Sequence, residues 1–207
     1  MPRSFLFSLC CIFASVTAAA TAVAARAPLL VLGDSLSSAH HIAADAGWVH
    51  LLESRLRGER PVVNASISGE TTSGGLARLP RLLDENKPAL VVIELGANDG
   101  LRGLPLSEIR ANLRAMLIAI RGSGARSVLL GIELPINYGP QYRDGLRDMY
   151  RDLAQEFNAP WLPFLLDGVA LNPELMQDDG LHPKAEGEPR VLDNVWKVLE
   201  PALQAAR

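Results

Sequence analysis

The apolar positions of this chain fall into two alternating patterns. Short, nearly continuous apolar runs rich in β-branched residues occupy 29–32, 62–65, 90–95, 127–132 and 161–164. Without strict alternation of apolar and polar positions, such runs predict strands buried on both faces. Between them apolar residues recur at helical spacing: Trp48, Leu51, Leu52 and Leu56; Leu106, Ile109, Leu113, Met116, Leu117 and Ile120; then Leu146, Met149, Tyr150, Leu153 and Phe157. Val191, Leu192, Val195, Leu199 and Leu203 predict a closing helix. Over 76–83 the pattern is weaker, because Gly74, Gly75 and Pro80 all disfavour a helix, and only a short or kinked one is expected. Five strands alternating with helices predict one α/β domain: a parallel sheet, covered on both faces by right-handed crossovers.

The first 25 residues follow neither pattern. Met1-Pro2-Arg3 is a short basic start, 5–13 is an apolar run, and 18–25 is rich in small residues, the three parts of a secretory signal. The small-x-small rule is met twice, which places cleavage after Ala24 or Ala25. An uncleaved anchor is disfavoured, since the strongly apolar part is shorter than the ~20 residues a span needs. Both cysteines, Cys10 and Cys11, lie in this leader, so the expected mature chain uses no disulfide, thiol chemistry or Cys-ligated metal.

Charge narrows the partners. The full chain of 207 residues carries 20 basic and 23 acidic side chains, net −3. Loss of Arg3 with the leader leaves 19 basic side chains and a net charge of −4. Without a dense Lys/Arg run there is no electrostatic footprint for a nucleic acid. The expected product is an exported, mildly acidic protein with no stable membrane anchor, acting as a monomer on a small molecule.

An open parallel sheet binds its ligand outside the carboxyl ends of its strands. This sequence concentrates polar residues there: Gly33-Asp34-Ser35-Leu36-Ser37 after the first strand, Ser66-Ile67-Ser68-Gly69-Glu70 after the second and Gly96-Ala97-Asn98-Asp99 after the third. Asp178-Asp179-Gly180-Leu181-His182-Pro183 follows the fifth. A serine hydroxyl becomes a useful nucleophile when an imidazole takes its proton and a carboxylate fixes the tautomer of that imidazole. Ser35, His182 and Asp179 can fill those roles, with Asp179 three residues from His182 in a glycine-containing turn. The oxyanion of acyl transfer needs fixed donors. The Ser35 N–H, the Gly69 N–H and the Asn98 side-chain amide are the candidates.

Competing chemistries lack support. His40, His41 and His50 show no clear metal-ligand spacing. Adjacent Asp178 and Asp179 are poorly suited to span the ~5–9 Å between glycosidase carboxylates. The chain contains no GxxxxGK[ST], GxGxxG or GxSxG motif. No metal and no cofactor is expected.

Gly33-Asp34-Ser35-Leu36-Ser37, Gly69, Asn98 and Asp179-Gly180-Leu181-His182 resemble the four signature blocks of the GDSL or SGNH hydrolases, in order and across the whole expected mature chain. Further runs, including 64–71, 75–80, 98–103 and 134–139, are similar to the bacterial periplasmic acyl-CoA thioesterase I group, with its lysophospholipase and arylesterase activities. The resemblance implies a single SGNH hydrolase domain over 26–207, with a three-layer α/β/α, flavodoxin-like fold and strand order 2-1-3-4-5. It also implies Ser35 as nucleophile, Asp179 and His182 as the rest of a triad, and Gly69 and Asn98 in the oxyanion hole. Ala97 departs from the glycine seen in many close relatives, beside the oxyanion donor.

Substrate choice is read from the rims. Leu101, Leu104, Leu134, Pro135, Ile136 and Tyr138 follow the third and fourth strands and predict an apolar groove for an acyl chain or aryl group. Arg102 is the only cation on those two rims, which favours small esters and lysophospholipids over the phosphates of coenzyme A. Two alternatives stay open: a carbohydrate O-deacetylase of the same fold, and a non-catalytic exported module that holds a lipid or glycan. An imidazole base predicts activity that falls as pH drops through about 6.5.

Overall fold

The computed structural model describes residues 26–205, so the predicted leader over 1–25 lies outside the described residues. Strands β1 (Leu29–Gly33), β2 (Val62–Asn64), β3 (Leu90–Glu94), β4 (Arg126–Leu130) and β5 (Trp161–Leu162) form one parallel sheet in the order β2-β1-β3-β4-β5. This is the three-layer flavodoxin-like arrangement that the alternating pattern and the resemblance imply. The central strands β1 and β3 are buried along their whole length, which is why their sequences run apolar without alternation. Their register pairs Gly33 with Glu94, so the loops leaving both strands start side by side.

Among the described residues there are six α-helices: α1 (Trp48–Arg55), α2 (Thr72–Asn86), α3 (Ala97–Leu101), α4 (Leu106–Gly122), α5 (Pro140–Phe157) and α6 (Glu188–Ala205). Helix α1 packs on α6, whereas α4 packs between α2 and α5. The apolar stripes that mark α4 and α5 in the sequence are the faces they bury, from Ile109 to Ile120 and from Leu146 to Leu153.

Three local expectations change. Helix α2 is not a short segment over 76–83 but a 15-residue helix that runs through Pro80. The Thr71 hydroxyl caps its start by accepting from Gly74 N. Gly75 sits so near the sheet that a β-carbon there would lie 2.3 Å from Leu95 Cδ1. The residues that weaken the local helix signal thus permit its close docking, and burial of Leu79 and Leu83 adds the tertiary term that the local pattern lacks. The second change is at 97–101, where the polar loop expected after β3 closes into the short helix α3. Strands β2, β3, β4 and β5 all end before their apolar runs do, at Asn64, Glu94, Leu130 and Leu162.

Candidate active site

The turn after β1 presents Ser35. Asp34 organises it: its backbone carbonyl accepts from Ser37 N and Ser38 N, and its Oδ1 accepts from Leu36 N at 3.0 Å. The Trp48 indole N–H, donated to Leu36 O at 3.1 Å, fastens the turn to α1. At the other end of the chain, Asp179 shapes the turn that carries His182. Its Oδ1 accepts from Leu181 N at 2.9 Å and His182 N at 3.0 Å, while its Oδ2 lies 2.7 Å from His182 Nδ1.

His182 Nε2 lies 2.8 Å from Ser35 Oγ, across 147 positions of sequence. A proton on Nδ1, donated to Asp179, leaves Nε2 free to accept the Ser35 hydroxyl. Burial opposes the charge on Asp179, but the His182 ring and the Leu181 and His182 amides outweigh it and hold this carboxyl at about 2. Asp179 is therefore an anion throughout the neutral range.

Asn98, on α3, donates both hydrogens of its amide: to Asp34 Oδ2 and to Glu70 O, each at 3.0 Å. These bonds fix Nδ2 between the β1 turn and the β2 loop. Gly69 lies in that loop at φ 80°, and its carbonyl accepts from Arg102 Nη2 at 3.2 Å. Among the described residues, neither the Ser35 N–H nor the Gly69 N–H donates a hydrogen bond.

Beneath the turn two carboxyls meet. Asp34 and Glu94 are both fully buried, and Glu94 Oε2 accepts from Asp34 N at 3.2 Å and from Ser37 Oγ at 2.8 Å. Burial raises both: Asp34 to about 6 despite the Leu36, Glu94 and Asn98 hydrogen bonds, and Glu94 well above the ordinary range, with Asp34 adding to the shift. Two carboxylates this close in an apolar interior oppose each other's ionisation, so the pair holds a proton well above the ordinary carboxylate range. The position of Glu94 under Asp34 lets the Asn98 donor rest against a carboxyl network.

A cavity of about 150 Å³ opens beside Ser35 and His182. Of the six rim residues expected to form an apolar groove, Leu101, Leu134 and Pro135 line it. The other three do not. Ile136 is 82% exposed, the Tyr138 hydroxyl is engaged by Leu101 O at 2.7 Å, and Leu104 uses its carbonyl to accept from the Tyr142 hydroxyl. Leu36, Ala97, Ile132, Phe164, Leu166 and Leu181 complete the apolar lining. Phe164 and Leu166 follow β5 closely, so a reading of the apolar rims that took in the residues just after the fifth strand, and not only those after the third and fourth, would have found them. Glu133 also lines the cavity, yet its charge is matched by Arg147 at 2.9 Å and Arg143 at 3.5 Å.

Among the described residues no cluster of three or more His, Cys, Asp or Glu side chains is arranged to hold a metal ion. No helix there is long and apolar enough to cross a membrane.

The chain is similar to known proteins over most of its length. Esterase TesA of Pseudomonas aeruginosa is 50% identical over 186 residues, covering 88% of this chain and 92% of that protein. Thioesterase 1/protease 1/lysophospholipase L1 of Escherichia coli is 44% identical over 178 residues, 86% of each chain. The crystal structure of TesA aligns with a TM-score of 0.82 at 50% identity, over 84% of this chain and 98% of that one. A family profile, GDSL-like Lipase/Acylhydrolase, matches residues 31–189. With this match spanning most of the described fold, the chain belongs to the GDSL-like lipase/acylhydrolase family and is a GDSL-type hydrolase.

Proposed function

We propose that this protein is a serine esterase in which Ser35 is the nucleophile, His182 the general base and Asp179 the group that orients and charges against His182. The observation that carries the reading is the unbroken line Asp179 Oδ2, His182 Nδ1, His182 Nε2, Ser35 Oγ, with steps of 2.7 and 2.8 Å. In the first step Ser35 Oγ attacks the ester carbonyl as His182 takes its proton. The tetrahedral oxyanion accepts from the Ser35 N–H, the Gly69 N–H and Asn98 Nδ2, which shares one of its hydrogens. Collapse expels the alcohol or thiol, protonated by His182, and leaves an acyl-enzyme. A water molecule activated by the same imidazole then releases the acid and restores Ser35.

The substrate class follows from the cavity. Its lining is apolar apart from the catalytic edge and the ion-paired Glu133, and its volume of about 150 Å³ is below the ~300–1,000 Å³ of sites that engulf a drug-sized ligand. Short to medium acyl chains suit it, on an aryl ester, a lysophospholipid or a thioester. An apolar wall of this kind favours these over the acetylated sugars of an O-deacetylase. The leader over 1–25 supports export to the periplasm or the medium, and the protein works there as a monomer without a membrane anchor.

Initial rates on p-nitrophenyl esters from acetyl to palmitoyl, run beside Ser35→Ala, test this reading. Hydrolysis peaking between butyryl and decanoyl and lost in Ser35→Ala is the expected result. Activity confined to acetyl would favour the deacetylase, and activity untouched by Ser35→Ala would remove the nucleophile assignment.

A further inference from the structure

The loop that carries Ser35 runs on through Ser38 and Ala39 to two histidines that the acyl-transfer scheme does not use. Ala39 and His41 adopt φ of 58° and 56°, the left-handed region that side chains with a β-carbon occupy only at a steric cost. His40 is held between them. Gln177 Nε2 donates both to His40 O at 2.9 Å and to Pro183 O at 2.8 Å, so a single amide clamps this loop to the turn bearing His182. The His40 ring lies against the His182 ring, with centroids 4.4 Å apart and a 40° tilt, and His41 stacks on His40 at 3.8 Å. On its edge, His40 Nδ1 is 3.2 Å from Ser68 Oγ, which is itself 2.8 Å from Ser38 Oγ. Ser68 immediately precedes Gly69.

We propose that His40 is a positioning residue for the reaction: its uncharged ring buttresses the His182 imidazole toward Ser35 and ties that orientation to the Ser68-Gly69 loop. The inference rests on the proposed roles of Ser35, His182 and Gly69. The ring must be neutral because His182 becomes a cation when it accepts the Ser35 proton, and a second imidazolium in van der Waals contact opposes that transfer. The titratable groups facing His40 are His182 and Asp179 on the turn before α6 and His41 on its own loop. Partial burial, then His182 and His41, lower the pKa of His40, and Asp179 pulls the other way without reversing the shift. His40 is thus neutral in the range where the base works, and it gains charge only in acid. Protonation at His40 or at His182 then stops the same proton transfer.

The test compares kcat and kcat/KM on p-nitrophenyl butyrate from pH 4.5 to 9 for the wild type, His40→Ala and His40→Phe, with Ser35→Ala as control. His40→Ala should lower kcat at pH 8 by about tenfold or more and change KM by less than threefold. His40→Phe keeps a flat ring that cannot ionise, and should restore kcat to within about threefold. On the acid side, kcat/KM of the wild type should steepen toward a two-proton dependence, and that of His40→Phe should follow one proton. A kcat within twofold of wild type in His40→Ala would overturn the proposal. So would equal losses in both variants with an unchanged acid limb, since a purely structural loop residue would behave that way. Hydrolysis surviving in Ser35→Ala would instead show that the underlying acyl-transfer reading had failed.

Discussion

Glu188 offers a sharp test of the physical reasoning because it lies off the reaction path. It opens α6, only 2% of its surface is exposed, and its Oε2 accepts from Trp48 N, the first residue of α1, at 2.9 Å. Burial lifts this carboxyl from 4.5 to about 7, and the Trp48 N–H only partly offsets the rise. The folded protein therefore holds the proton more tightly than the unfolded chain does. The stabilisation this provides is complete below about 4.5, falls away as pH rises from there to about 7, and stays lost above it. A gap of roughly 2.5 pH units at 1.36 kcal/mol each amounts to about 3 kcal/mol. Glu188→Gln keeps an acceptor for Trp48 N and removes the ionisation. The variant should match the wild type near pH 4.5 and exceed it by about 3 kcal/mol at pH 8, a Tm gain of about 2–4 °C per kcal/mol for a domain of this size. Urea unfolding of both proteins at several pH values measures the difference, and contributions common to both, such as Asp34, cancel. A difference that stays constant within about 1 kcal/mol between pH 4.5 and 8 would refute the linkage.

Three further substitutions probe the site and its frame. Asn98→Ala removes a proposed oxyanion donor and should lower kcat on p-nitrophenyl butyrate by about 10²–10³, with a loss under threefold excluding that role. Gly131→Ala would place a β-carbon 2.4 Å from Pro163 O and 2.9 Å from Leu162 O, backbone atoms that cannot swing aside. It should destabilise the β4–β5 edge by about 1–3 kcal/mol, and an unchanged thermal midpoint would show that the strand ends yield freely. Tyr150→Phe deletes the buried hydroxyl that donates to Leu95 O and should cost about 1–3 kcal/mol in urea unfolding, a value near zero meaning that Leu95 O finds another donor.

Much of this molecule was legible in its one-dimensional pattern. The apolar runs of β1 and β3 and the stripes of α4 and α5 identify elements whose burial is continuous, because a strand covered on both faces and a helix docked on one leave characteristic periods. The four polar clusters at strand ends contain Ser35, Gly69, Asn98 and Asp179-His182, the residues proposed for the site. Where local signals opposed the fold, the expected element is shorter than the observed one. Gly74, Gly75 and Pro80 argue against the helix they belong to, since a pattern within a window carries no information about Leu95, whose side chain requires a glycine opposite it.

Chain order, residue type and periodicity therefore determined the fold class, the sheet edge of the candidate site and the identity of the candidate triad. Tertiary structure alone decided what depends on distances between segments far apart in sequence. It brought Ser35 within 2.8 Å of His182 and selected Leu101, Leu134 and Pro135, rather than Leu104, Ile136 and Tyr138, as cavity walls. It also buried Asp34 against Glu94, so that each opposes the other's ionisation, and laid the His40 ring against that of His182. Burial, charge coupling and ring contact are properties of what surrounds a residue, and most of those surroundings come from elsewhere in the chain.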